Sequence, residues 1–254
     1  MKSALRAVLA IATTCILVPT RCLRSSALAE SAPHEDGADD RTMMVAVAQT
    51  ASNRTTSPEE MAAHMIGFIE RAAAMRARVV VFPEMAVVGY WPETINCSRC
   101  SERLPKIEST LAAAAKSNNV YLVFGIPHFV NTTHYYNTGL VIGPTGEKVY
   151  RQAKLDVAWP FDGMPGRWLD TFEIDGVKVS MMICASEFAP EVTRLVAIAG
   201  SAVHFYISYE GDVSRYVEKF EVTAPAPNSV FDVAYAAIPQ VRAVENSIFV
   251  VQAK

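Results

Sequence analysis

Val79-Val80-Val81-Phe82-Pro83-Glu84 is the stretch on which the fold turns. Four apolar residues in a row, three of them β-branched, have the length and composition of a buried strand. The run stops at Pro83, which offers no backbone N–H to a ladder, and Glu84 follows at the strand's carboxyl end. Upstream, Ser57-Pro58-Glu59-Glu60 is a capping box with proline at the first helical position, so a helix starts there. Met61, Met65, Phe68, Ile69 and Ala72 recur at helical spacing and give that helix one apolar face. Before it, Met43 to Gln49 reads as another short buried strand, so the segment is strand, helix, strand.

The same alternation continues downstream. Leu104 to Lys116 is predicted helical and Val120 to Ile126 a buried strand. Asn137 to Ile142, the turn Gly143-Pro144-Thr145-Gly146 and Lys148 to Gln152 form a hairpin. Thr171 to Ile174 and Val177 to Cys184 form a second, with Asp175-Gly176 as its turn. Glu191 to Ala199 reads as helix, Val203 to Ser208 as strand, Val233 to Asn246 as helix and Ile248 to Gln252 as strand. Helices alternating with buried strands, plus hairpins, imply an α/β layered fold rather than an all-β sandwich or a helical bundle.

The chain has 254 residues, 51% of them hydrophobic and 19% charged, with a formal net charge of −3. That is enough chain for a sizeable core, and the absence of a basic stripe argues against a nucleic-acid partner. Lys2 and Arg6 precede an uncharged run from Ala7 to Pro19, and Ala27-Leu28-Ala29 offers small residues for cleavage. Residues 1–29 therefore read as a secretory signal peptide, too short in its apolar run for a membrane span. Arg21, Arg24 and the lack of any acid before Glu30 also fit an organelle transit peptide. Residues 30–41 are polar and acidic and read as a disordered linker, which leaves 42–254 as the domain. Asn53, Asn96 and Asn131 each open a glycosylation acceptor triplet, relevant only on the secretory route.

Five cysteines are present, and Cys15 and Cys22 would leave with the leader. Cys97 and Cys100 sit in a polar segment after Pro92, where a local disulfide is expected in an oxidising compartment. A C-x-x-C redox motif should follow a strand and open a helix, and zinc would need a second ligand pair that the sequence lacks. Cys184 is the odd one left over.

Three polar residues lie at the ends of apolar strands: Glu84 after Val-Val-Val-Phe-Pro, Cys184 after Val-Ser-Met-Met-Ile, and Lys154 after Val149-Tyr150-Arg151. Ligands of open α/β sheets gather at the carboxyl ends of strands. A thiolate is a strong nucleophile, a carboxylate in apolar surroundings can take the thiol proton and later activate water, and an ammonium can stabilise an oxyanion. Taken singly, each also has a bland reading: a small buried hydrophobe, a solvated acid, a surface lysine.

The order of the motifs adds to this. Val81-Phe82-Pro83-Glu84 with Gly89-Tyr90 and Pro92 resembles the first motif of the nitrilase superfamily of carbon–nitrogen hydrolases, whose glutamate is the general base. Tyr136-Asn137-Thr138, Gly143-Pro144-Thr145-Gly146 and Tyr150-Arg151 resemble the hairpin leading to its lysine. Ile183-Cys184-Ala185, Glu187-Phe188 and Pro190-Glu191 resemble its nucleophile segment, and Arg242 to Asn246 with Phe249-Val250-Val251 its late helix and strand. The resemblance implies an αββα sandwich of two mixed sheets covered by helices, assembled as a homodimer or larger. It implies hydrolysis of small amides, nitriles or carbamoyl compounds through a Cys184 thioester, with no metal or organic cofactor. Secreted members form a pantetheinase and biotinidase branch, to which the leader and Tyr135-Tyr136-Asn137-Thr138 point.

The chain also departs from the pattern. The family lysine is usually third in a Tyr-Arg-Lys motif, where Gln152 stands here. Lys154 is two residues on, on the same face of an extended strand, so either it takes the role or the oxyanion partner is missing and the chain is an inactive binding or scaffold protein. A second family glutamate is replaced by His128, which could bond to the base instead. Members continue past the point where this chain ends, so the expected fold is incomplete at its C-terminus.

Overall fold

The computed structural model describes residues 16–19, 42–50, 56–89, 100–157, 163–209 and 230–254. Among these residues ten strands form two mixed sheets. The first takes the order β1 (Ile16–Pro19), β2 (Thr42–Val47), β3 (Val79–Val81), β4 (Tyr121–Phe129), β5 (Tyr135–Ile142), β6 (Lys148–Ala153). The second runs β10 (Phe249–Ala253), β9 (Val203–Ile207), β8 (Val177–Ile183), β7 (Thr171–Ile174). Helices α1 (Pro58–Ala74) and α2 (Cys100–Asn118) cover the first sheet, while α3 (Pro190–Ile198) and α4 (Val230–Asn246) lie with the second. Among these residues no helix is long and apolar enough to cross a membrane.

Strand alternation produces the layers. On β3, β4 and β5 the residues Val80, Leu122, Phe124, Ile126, Leu140 and Ile142 face α1 and α2. Their neighbours Val79, Val81, Val123 and Val141 face the opposite way, against Val179, Met181, Ile183, Val203, Phe205 and Ile207 of the second sheet. A side-chain period of 2 divides one apolar run between two cores. That is why β3 and β4 read as continuous hydrophobic stretches. The four layers are helix, sheet, sheet, helix, the sandwich that the motif order implies.

Local signals act as the sequence indicates. Ser57 accepts the Glu60 amide and the Glu60 carboxylate accepts the Ser57 amide, closing the capping box. Asp175 (φ 48°) and Gly176 (φ 76°) both adopt left-handed backbone in the two-residue β7–β8 turn, the geometry that favours Asp-Gly there. Ile16–Pro19, inside the expected leader, pairs antiparallel with β2. The remaining leader and linker residues, Cys97, Asn53 and Asn96 lie outside the described residues, whereas Asn131 is exposed on the β4–β5 turn. Cys100 is buried at the start of α2 and disulfide-bonded.

Candidate active site

Between the two sheets, at one end of their shared core, several polar side chains converge. Glu84 follows β3 and is 1% exposed; Lys154 follows β6 and is fully buried. The Lys154 ammonium donates to Glu84 Oε1 at 3.0 Å. Asn137, on β5, donates through Nδ2 to the same oxygen at 2.6 Å, and the Tyr209 amide donates to Oε2 at 3.0 Å. Three donors suit a carboxylate, which when ionised can only accept. Such pairing is also what makes a buried charge tolerable.

The second sheet meets this cluster through its own strand ends. Ile183 of β8 and Ile207 of β9 are partners in a parallel ladder, and the next residues are Cys184 and Ser208. The two strand ends thus start about one strand spacing apart, ~4.8 Å. The Glu84 amide donates to the Ser208 carbonyl at 3.3 Å, so the acid's backbone is docked beside the strand ends from which Cys184 emerges. Cys184 is 6% exposed and outside any disulfide. Its φ of 48° is left-handed, a conformation that costs a non-glycine residue about 1–3 kcal/mol and concentrates at functional turns.

Two sets of contacts fix the turn Cys184–Phe188, a short 3₁₀ helix. The Ser186 hydroxyl accepts the amides of Leu155 and Asp156, both at 3.0 Å, tying the residues after Lys154 to the residues after Cys184. Glu187 is bonded by His204 Nε2 and by the Thr193 hydroxyl, each at 2.6 Å. His204 Nδ1 in turn meets the Ser180 hydroxyl on β8 at 2.7 Å. Burial pushes the Glu187 carboxyl up, but His204, the Thr193 hydroxyl and Arg242 outweigh it and hold it below the usual carboxylate range. Arg242 also donates to the Glu187 carbonyl, so α4 clamps the same turn.

The structure separates the two candidates for the family's lysine position. Tyr150, Gln152 and Lys154 share the inward face of the β6 segment, but Gln152 is fully engaged elsewhere. Its Oε1 accepts the Tyr150 hydroxyl at 2.6 Å, and its Nε2 donates to the carbonyls of Ala153 and Trp168 at 2.9 and 2.8 Å. Burial pushes the Tyr150 phenol up to about 12, so it stays a donor. Lys154 is the residue that reaches Glu84.

The expectation that His128 bonds to the base is corrected. His128 is exposed near the outer end of β4, its imidazole held below its usual range by partial burial and by Arg151. The side chain from this hairpin that meets Glu84 is Asn137, on the neighbouring strand. In the sequence the signal for Asn137 is the Tyr136-Asn137-Thr138 motif, which by itself assigns the asparagine no role. Gly125, on β4, is set directly against the backbone of Glu84. A Cβ there would lie 2.1 Å from the Met85 nitrogen and 2.5 Å from the Glu84 Cα. Both are backbone atoms that cannot swing away, so Gly125→Ala should displace Glu84 itself. We expect a loss of at least about a hundredfold in turnover, the scale of a misplaced reacting group, alongside about 1–3 kcal/mol of destabilisation from overpacking. Steady-state kinetics and denaturant unfolding of the variant check both.

Among the described residues no group of His, Cys, Asp or Glu is placed to hold a metal ion. Residues 44–254 match the carbon-nitrogen hydrolase family. A nitrilase of Pyrococcus abyssi is 29% identical over 216 residues, covering 83% of this chain and 74% of its own. A formamidase of Bacillus cereus is 31% identical over 143 residues, or 54% of this chain and 43% of the formamidase. In fold, the chain resembles the amidase of Nesterenkonia sp. AN1 solved in complex with acrylamide, with a TM-score of 0.70 at 20% identity over 83% of this chain and 75% of that one. With its two-sheet architecture and a family match running from β2 to the last residue, this chain belongs to the carbon-nitrogen hydrolase family.

Proposed function

We propose that the protein hydrolyses a non-peptide carbon–nitrogen bond of a small amide, nitrile or carbamoyl compound through a thioester on Cys184. The observation that carries this reading is the buried 3.0 Å pair of Lys154 and Glu84, docked against the strand ends from which Cys184 projects. Glu84 takes the thiol proton as Cys184 Sγ adds to the substrate carbon. Lys154 stabilises the negative charge that develops on the substrate oxygen or nitrogen. With an amide, the proton returns to the departing nitrogen, ammonia leaves, and a thioester remains. Glu84 then activates water, which releases the acid and restores the thiol. An amide consumes one water in this cycle and a nitrile two, the first carrying its thioimidate to the thioester with loss of ammonia; neither needs an oxidant or reductant.

The disulfide at Cys100 suits an oxidising compartment and supports the secretory route over a reducing one. A mass spectrum decides the chemistry. Protein quenched in acid during turnover of a short-chain amide should carry one acyl group, located on Cys184 by peptide mapping. Hydrolysis with no acyl-protein at any time point, and with Cys184 still alkylated at its unprotected rate in the presence of substrate, would remove the thioester from the mechanism.

A further inference from the structure

Asn137 is buried beside Glu84, and among the described residues one end of its side chain has no partner. Because the Glu84 carboxylate can only accept, the Asn137 atom 2.6 Å from it must be the amide nitrogen. This fixes the orientation of the group and turns Oδ1 away from Glu84. That oxygen is completely buried and makes no hydrogen bond among the described residues. A buried acceptor left in this state is unfavourable unless a donor arrives from outside the chain. The Lys154 ammonium and the Tyr209 amide donate to the carboxylate.

Asn137 lies on the inward face of β5, the face that Gly139 presents to Met181 and Ile207. Its side chain therefore projects from the first sheet toward the second, whose strand β8 runs into Cys184. The chemistry then discriminates between substrates. A primary carboxamide brings N–H donors on the atom that must leave; a nitrile has no N–H until the thiol has added. An acceptor next to the base matches the nitrogen of a carboxamide, while the ammonium beside it matches the oxygen.

We propose that Asn137 Oδ1 accepts an N–H of the scissile carboxamide, orienting its nitrogen toward Glu84 and making the site selective for primary amides over the corresponding nitriles. This rests on the thioester reading, which it sharpens. In the acylation step the Sγ–C bond forms, the C–N bond breaks, and the thiol proton ends on the ammonia that leaves. Asn137 keeps its own protons throughout and only receives the substrate's hydrogen bond.

Propionamide and propionitrile test this, since they share an acyl chain and differ in the N–H. The full-length protein should favour propionamide by about 10⁴-fold in kcat/KM, the discrimination reached when a site built for a donor meets an analogue without one. Asn137→Ala also weakens the support of Glu84, but that damage falls on both substrates, so the ratio isolates the oxygen. We expect the ratio to shrink by about a hundredfold or more. A ratio unchanged in Asn137→Ala, or propionitrile turned over by the unaltered protein as fast as propionamide, would overturn the proposal.

Binding to Cys184→Ala gives a readout that does not need turnover. Propionamide, and not propionitrile, should shift the Asn137 side-chain amide resonances of the ¹⁵N-labelled variant. No shift on saturation with propionamide would also overturn the proposal. Should the shift occur while the unaltered protein hydrolyses neither compound, the hydrolase reading falls and the carboxamide site stands.

Discussion

Cys184→Ala is expected to abolish hydrolysis, a loss of at least about a thousandfold in kcat/KM, as when the nucleophile of a covalent mechanism is removed. The expectation follows from the position of the sulfur and from what the turn around it cannot replace. Ser186 and Glu187 are committed to hydrogen bonds that hold the turn in place. A truncated side chain at 184 therefore leaves water as the available nucleophile. The substitution also relieves little strain, because alanine at φ 48° is as disfavoured as cysteine. Stability should consequently stay within about 1–2 kcal/mol of the parent, the cost of a modest buried truncation. Loss of activity with an unchanged unfolding transition is the expected pair of results. Turnover surviving in the alanine variant would mean that Glu84 and Lys154 act on water directly.

The parts of the molecule that were legible in the sequence are those set by neighbouring residues. The Val79–Phe82 run, the Ser57 capping box and the Asp175-Gly176 turn each encode their structure within a few positions, and all three form as expected. Boundaries set by distant partners were harder to read. β4 runs on to Phe129, past Gly125 and Pro127, two residues that discourage a strand. The reason is topological: β3 accompanies β4 only as far as Val123, so Pro127 needs to pair with Asn137 on one side alone. Helix α2 begins at Cys100 rather than at Leu104, taking in Pro105 at its sixth position, where the missing amide forfeits a bond to the Ser101 carbonyl. In the site, the strand-end positions of Glu84, Lys154 and Cys184 could be read locally. Asn137, Gly125 and Ser186 could not, because each acts on a group set by tertiary pairing rather than by its neighbours in the chain.

In the proposed mechanism Lys154 is what separates an active enzyme from a decayed one, and its replacement has the second large expected effect. Lys154→Met keeps the length of the stem and removes the ammonium. Losing one preorganised donor to a developing anion typically lowers kcat by about 10²–10³-fold. Here the loss carries a further cost, because Glu84 keeps its burial without the neighbouring cation. Breaking one side of a buried ion pair destabilises by about 3–5 kcal/mol, which has to be separated from the catalytic effect. The double variant Glu84→Gln/Lys154→Met does so: it removes both charges and should recover much of the stability lost in Lys154→Met while remaining inactive. Gln152→Lys supplies the opposite test. A lysine there would have to displace the Tyr150 hydroxyl and the Trp168 carbonyl from the groups they now bond, and the ammonium at Glu84 is already provided. We therefore expect Gln152→Lys to lower stability and leave turnover unchanged or reduced. A rise in turnover on introducing that lysine, together with unaltered kinetics in Lys154→Met, would mean that the oxyanion partner belongs at 152 and that this chain has lost it.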